Sequence, residues 1–221
     1  MTSFTAPGVS AADGTPFAGK VGELYAPSRD QEKAKEYLAT ALSELGCTVD
    51  DLSAHLSIDC GDSATAIAEA SFYQEQWRQN LGIENITVNS MQTKQVSANR
   101  QSGDYCMSLG GWSPDYNDAI NFLDLWVTDG GNNDSFWSNE EYDNLIAQAT
   151  AEADEEVRQQ YLFDAEEILA AEMPIIRCTG SARTTPTTRI RLWTAPSSPP
   201  TRLPSTTPLW PSKARSFRKK Q

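Results

Sequence analysis

The sequence predicts an α/β fold, with a mixed, mostly parallel sheet flanked by helices, and three observations predict it. Between residues 50 and 110, short apolar runs of period two alternate with longer runs of helical period, giving strand, helix, strand, helix, strand. Capping residues bound the helical runs, Asp30 and Gly46 around one and Ser63 and Gly82 around the next. Two more amphipathic stretches follow, placed to fold back on the sheet.

Taken in order, residues 1–29 are rich in Gly, Pro, Ser and Ala without a helical period, and read as an irregular lead-in. After Asp30 a stripe of Ala34, Tyr37, Leu38, Ala41, Leu42 and Leu45 predicts an amphipathic helix. Leu52, Ala54, Leu56 and Ile58 alternate with polar residues, which predicts a strand. The helix from Ser63 is expected to bury Ile67, Ala70, Tyr73, Trp77 and Leu81, and Ile86 and Val88 mark a second strand. A short polar helix near residues 93–99 leads to a central strand, Tyr105 to Leu109. Ser138 and Glu141 form an expected capping box, and Asp154 caps a last helix that Pro174 ends.

Composition sets further bounds. The net charge of −12 conceals two parts: residues 1–176 carry all 30 acidic groups and 8 of the 18 basic ones, a balance of −22, whereas residues 177–221 carry +10. No apolar run approaches the roughly 18 residues that span a bilayer. The first residues, Met1 to Gly8, lack the basic and apolar regions of a secretory signal. The four cysteines contain no Cys-x-x-Cys pair and have only His55 as an imidazole partner, which argues against a zinc site. A Cys47 to Cys60 disulfide and free buried thiols both remain open, and Cys106 reads as core.

The most informative stretch is Leu109-Gly-Gly-Trp112-Ser-Pro-Asp115-Tyr-Asn-Asp118. A buried strand runs into two glycines that permit close backbone approach, presents a ring and a carboxylate on a Pro-stiffened turn, and enters a helix that Asn117 and Asp118 are expected to cap. The carboxyl end of a strand in an open α/β sheet is where ligands bind, so this turn reads as one wall of a site. Catalysis is not expected. Ser113 and Ser138 have no histidine nearby in sequence, and the paired acids Asp115 with Asp118 and Glu166 with Glu167 fit solvated helix faces.

Gly111-Trp112-x-x-Asp115-Tyr-Asn-Asp118, then Phe122-Leu-Asp124, Gly131-Asn-Asn133 and Trp137-Ser-Asn139-x-Glu141-Tyr-Asp143, resembles the C-terminal part of the family 5 extracellular solute-binding proteins, the peptide-binding subunits of ABC importers. The resemblance runs from about Pro7 to Ile176. It implies the C-terminal lobe of a type II periplasmic-binding-protein-like fold over residues 30–176, without the N-terminal lobe or an export signal. It implies a peptide ligand, ABC permease subunits as partners, an extracytoplasmic location (periplasm or lipoprotein), and no cofactor or metal.

By the same resemblance Asp115 pairs with the ligand's α-ammonium group and Trp112 lies against the bound chain, with Ser113 beside them. Asn132, Asn133 and Trp137 either line the cleft or form a polar loop and cap. Leu109 departs from relatives that carry a basic residue near this place. With one wall alone, weak or no peptide binding and a tendency to associate are expected.

Residues 177–221 depart from the resemblance, becoming rich in Thr, Ser, Pro and Arg without a period. Reading their codons one base earlier permits a family-like continuation, so this stretch is expected to be an out-of-frame, disordered tail. A second reading gives its basic groups a nucleic-acid or anionic-membrane contact. The acidic body would repel the same partner, so no nucleic acid is expected.

Overall fold

The computed structural model describes residues 3–22, 24, 30–181 and 187–193, with the backbone alone from residue 177 on. Five strands form one sheet: β1 (Ser57–Gly61), β2 (Thr87–Met91), β3 (Met107–Leu109), β4 (Ile175–Ser181) and β5 (Thr187–Trp193), in the order β2-β1-β3-β5-β4. β1 pairs in parallel with both β2 and β3, Ile58 opposite Val88 on one side and Met107 on the other. Parallel neighbours require a crossover, and helices α4 (Ala64–Leu81) and α5 (Thr93–Ser102) supply the two. β5 lies antiparallel between β3 and β4.

The antiparallel half corrects the expectation for the tail. Residues 175–181 and 187–193 are strands rather than irregular chain. The sequence signal was present: Thr188-Arg-Ile-Arg-Leu192 alternates apolar and charged residues at period two and is rich in β-branched types. The expectations for residues 182–186 and 194–221 lie outside the described residues.

Local capping explains most helix ends. In α2 (Gln31–Leu45) the Asp30 carboxylate accepts the Lys33 N–H at 2.9 Å, and Gly46 ends the helix at φ 66°. α4 starts at Ser63 and ends at Gly82, φ 69°, in the same way. None of α2 is fully buried: Leu38, Ala41, Leu42 and Leu45 are half-covered and Tyr37 is exposed. Ile67 on α4 is also exposed rather than core.

The expected strand at residues 52–58 begins later. Thr48 and Asp51 form a capping box that nucleates α3 (Val49–Ser53), and Leu52 belongs to that helix. Competition between a capping box and a period-two pattern was decided by the cap.

Among the described residues the buried apolar side chains form two cores. One lies between α4 and the sheet and contains Leu56, Ile58, Ala70, Ile86 and Met107. The larger joins α6 (Ile120–Leu123), α7 (Glu140–Ala151) and α8 (Glu155–Glu172) through Phe122, Leu123, Tyr142, Ile146, Leu162 and Leu169. The lead-in belongs to this core: Phe4, Ala6, Val9 and Phe17 are buried, and α1 (Phe17–Lys20) follows. Its anchor is Glu166 on α8, fully buried, which accepts from Ser3 Oγ at 2.5 Å, Thr5 N at 3.0 Å and Thr5 Oγ1 at 3.2 Å. An aperiodic segment thus becomes core through tertiary contact that no local pattern announces.

Cys47, Cys60 and Cys106 are free thiols, and burial pushes those of Cys60 and Cys106 above the usual range. Among the described residues no helix is long and apolar enough to cross a membrane.

Candidate functional site

The site is built where β3 ends. Gly110 and Gly111 follow the strand, and the half-buried Trp112 then donates its Nε1–H to Asn121 Oδ1 at 3.0 Å. The same oxygen accepts the Asp115 N–H at 3.2 Å. Asn121 is buried on α6, so one amide fixes both the ring and the turn that follows it. Ser113 and Asp115 stand exposed on this turn.

Of the two residues expected to cap the helix, one does. Asp118, not Asn117, accepts the Ile120 N–H, at 2.9 Å, and its other oxygen pairs with Arg158 at 2.9 Å. Asn117 instead holds Ser10, accepting its N–H at 3.1 Å and donating to its hydroxyl at 3.3 Å. Arg158 also donates to the Ala149 carbonyl, which ties the turn to α7 and α8.

Beside Trp112 lies a shallow cavity of about 150 Å³ bounded by Gly110, Gly111, Trp112, Trp126, Arg100 and Asp134, with Asn132 also on its wall. Arg100 Nε stands 3.3 Å from Asp134 Oδ2, both side chains largely covered. Burial pushes the Asp134 carboxyl above its ordinary range, and the Arg100 guanidinium opposes that shift. The Tyr105 hydroxyl donates to the Asp134 carbonyl at 2.6 Å and fixes the loop.

Of the residues expected from sequence, Trp112 and Asn132 line this cavity, and Ser113 and Asp115 sit on the adjoining turn. Asn133 and Trp137 are not among its lining residues. Asn133 is buried and donates its amide to the carbonyls of Trp126, Val127 and Trp137 at 3.2, 3.0 and 2.8 Å. Trp137 donates to Glu172 at 2.7 Å and meets the Tyr142 ring edge-on at 4.9 Å. The expected capping box at Ser138 is absent; Asn139 caps α7, accepting the Tyr142 N–H at 3.0 Å. Arg100 and Asp134 were missed because they are far apart in sequence and meet only through the fold.

Asn121→Ala should show how much rests on that one amide. It leaves the Trp112 and Asp115 N–H groups without their acceptor, and a loss of about 2 kcal/mol is expected. Urea unfolding checks the stability, and acrylamide quenching should report a more exposed Trp112.

A mixed sheet with helical crossovers and a cavity at the carboxyl end of a central strand is an α/β architecture in which that end is the usual place for a ligand. The model of the bacterial extracellular solute-binding proteins, family 5 Middle, matches residues 1–134, and the chain belongs to that family.

The chain is 37% identical to the oligopeptide-binding protein OppA of Bacillus subtilis over 156 residues, 69% of this chain and 28% of the relative. It is 33% identical to the dipeptide-binding protein DppE of the same organism over 175 residues, 79% of this chain and 31% of the relative. It therefore spans less than a third of either relative's length. The crystal structure of a peptide ABC transporter's peptide-binding protein superposes with a TM-score of 0.65 at 24% identity, covering 78% of this chain and 76% of that one. The fold is that of the type II periplasmic binding proteins. Both sequence relatives carry binding functions in their names, and the family is one of extracellular solute-binding proteins.

Proposed function

We propose that this chain supplies one wall of a peptide-binding site in the substrate-binding subunit of an ABC importer. The observation that carries this reading is the turn held by Asn121, which keeps Trp112 against a cavity and leaves Asp115 exposed beside it. A carboxylate on such a turn pairs with the peptide's α-ammonium group, and that charge-assisted bond fixes one end of the ligand whatever its side chains. The indole of Trp112 then lies along the peptide and the cavity receives a side chain.

Closure of two lobes would exclude water and complete the grip, with ligand shifting the open to closed equilibrium by its differential affinity. The bound form delivers peptide to the permease subunits on the outer side of the cytoplasmic membrane. The role needs no cofactor, metal or chemical step. A contact of the basic tail with nucleic acid or anionic lipid has no observation in its favour beyond charge.

Asp115→Asn tests the reading. Loss of a charge-assisted bond of about 1.5–3 kcal/mol should weaken peptides with a free amino terminus by about tenfold or more. N-acetylated peptides, which lack the ammonium group, should lose far less. The two sets are compared by NMR titration of the 221-residue chain at millimolar peptide, and equal losses would reject the assigned role.

A further inference from the structure

The turn that carries Asp115 has no regular structure of its own. β3 ends at Leu109 and α6 begins at Ile120, and the residues between them belong to neither a strand nor a helix. Side chains from outside therefore hold it. Asn121 takes the first half, through the Trp112 indole and the Asp115 N–H. The second half, past Asp115, has two further anchors: Ser10 of the lead-in holds Asn117, and Arg158 of α8 holds Asp118.

Arg158 is placed to fix a position and not merely to balance a charge. Its side chain is 18% exposed and that of Asp118 28%, so the pair is largely shielded from solvent. Nη2 donates to Asp118 Oδ2 at 2.9 Å, while Nε donates at 3.1 Å to the carbonyl of Ala149, a fully buried residue near the end of α7. The planar guanidinium fixes the angle between these two bonds. The Asp118 carboxylate is thus set against the packed pair α7 and α8, and its Oδ1 accepts the Ile120 N–H and ties the turn to α6. Asp115 lies exposed between Asn121's grip and this one. A binding group works only when held within about 0.5 Å of its productive geometry by neighbours that are themselves locked.

Resting on the peptide-binding reading above, we propose that Arg158 is a positioning residue of the ligand site. By anchoring Asp118 to α7 and α8 it sets the Asp115 carboxylate for the peptide's ammonium group. It touches no ligand, and its whole contribution to binding passes through Asp115.

The test is an NMR titration with trialanine and N-acetyl-trialanine of four forms of the 221-residue chain: unaltered, Arg158→Lys, Asp115→Asn, and the double variant. A lysine keeps the charge on α8 but lacks the fork that holds Asp118 and the Ala149 carbonyl at a fixed angle. Arg158→Lys should weaken trialanine about fivefold, a coupling ordinary for residues in one network, and N-acetyl-trialanine by less than about twofold. In the Asp115→Asn background the same substitution should change neither. Asp118→Asn breaks the ion pair from its other side and should reproduce the pattern, and it decides the matter if Arg158→Lys does not fold.

Equal losses for both peptides, no loss for either, or a loss that persists in the Asp115→Asn background overturns the inference. In each of these cases the peptide-binding reading stands if Asp115→Asn weakens trialanine more than its acetylated form. If Asp115→Asn weakens the two alike, that reading falls and the inference falls with it.

Discussion

Glu166→Ala is expected to cost about 4 kcal/mol and to release the segment from Ser3 to Val9. The substitution removes the acceptor of several buried donors, among them Ser3 Oγ, Thr5 N and Thr5 Oγ1, on residues that are themselves fully covered. Each orphaned donor costs about 1–3 kcal/mol, partly relieved as the segment detaches and finds water. Urea unfolding measures the loss, and hydrogen exchange should show residues 3–9 unprotected while α7 keeps its protection. Glu166→Gln retains an acceptor oxygen and should cost little.

The same residue sets a pH dependence whose sign is opposite to that of most surface acids. Burial pushes the Glu166 carboxyl above its ordinary 4.5, against the bonds from Ser3, Thr5 and Phe4. Within the window from that ordinary value up to the raised one, the native state binds more protons than the unfolded chain. Stability must therefore fall as pH rises through the window. Asp51 and Glu75, held low by Thr48 and Arg78, act the other way at lower pH. The Gln variant isolates the Glu166 effect. The stability of the unaltered chain minus that of Glu166→Gln should decline as pH rises from 4.5, and a difference that stays flat would reject this account.

Asn133→Ala is expected to cost about 3 kcal/mol. Its Nδ2 joins the carbonyls of Trp126, Val127 and Trp137, and its Oδ1 accepts the Ser135 hydroxyl at 2.6 Å, so one buried amide closes the loop between α6 and α7. Removing it leaves carbonyls and a hydroxyl unpaired in a covered place. The midpoint of urea unfolding should drop accordingly. Were Asn133 a ligand residue instead, the substitution would weaken peptide binding and leave the unfolding midpoint where it was.

How much of this was legible in the sequence follows from the range of the interactions. Caps at Asp30, Ser63 and Asp154, and the left-handed glycines 46 and 82, act within one turn of helix and were read correctly. Where two local signals competed, as at residues 48–58, the hydrophobic alternation gave way to the Thr48 and Asp51 cap. Asn117 and Asp118 are both good caps, and only the distant partners Ser10 and Arg158 decide which one serves α6. The turn of Trp112 and Asp115 was visible from its glycines and proline. The Asn121 amide that secures it, and the Arg100 and Asp134 pair across the cavity, have no spacing to betray them. The burial of the lead-in had no local signal for the same reason, because its apolar residues join a core shared with α6, α7 and α8.

That last arrangement also bears on how the protein is made. The bond from Thr5 to Glu166 spans 161 residues of chain, so the first cannot settle until the second has been synthesised. At ordinary elongation rates the wait is roughly ten to thirty seconds. For that interval Phe4, Val9 and Phe17 have no core to enter and stay exposed along the growing chain. The contact that completes this core is thus also among the last that the growing chain can make.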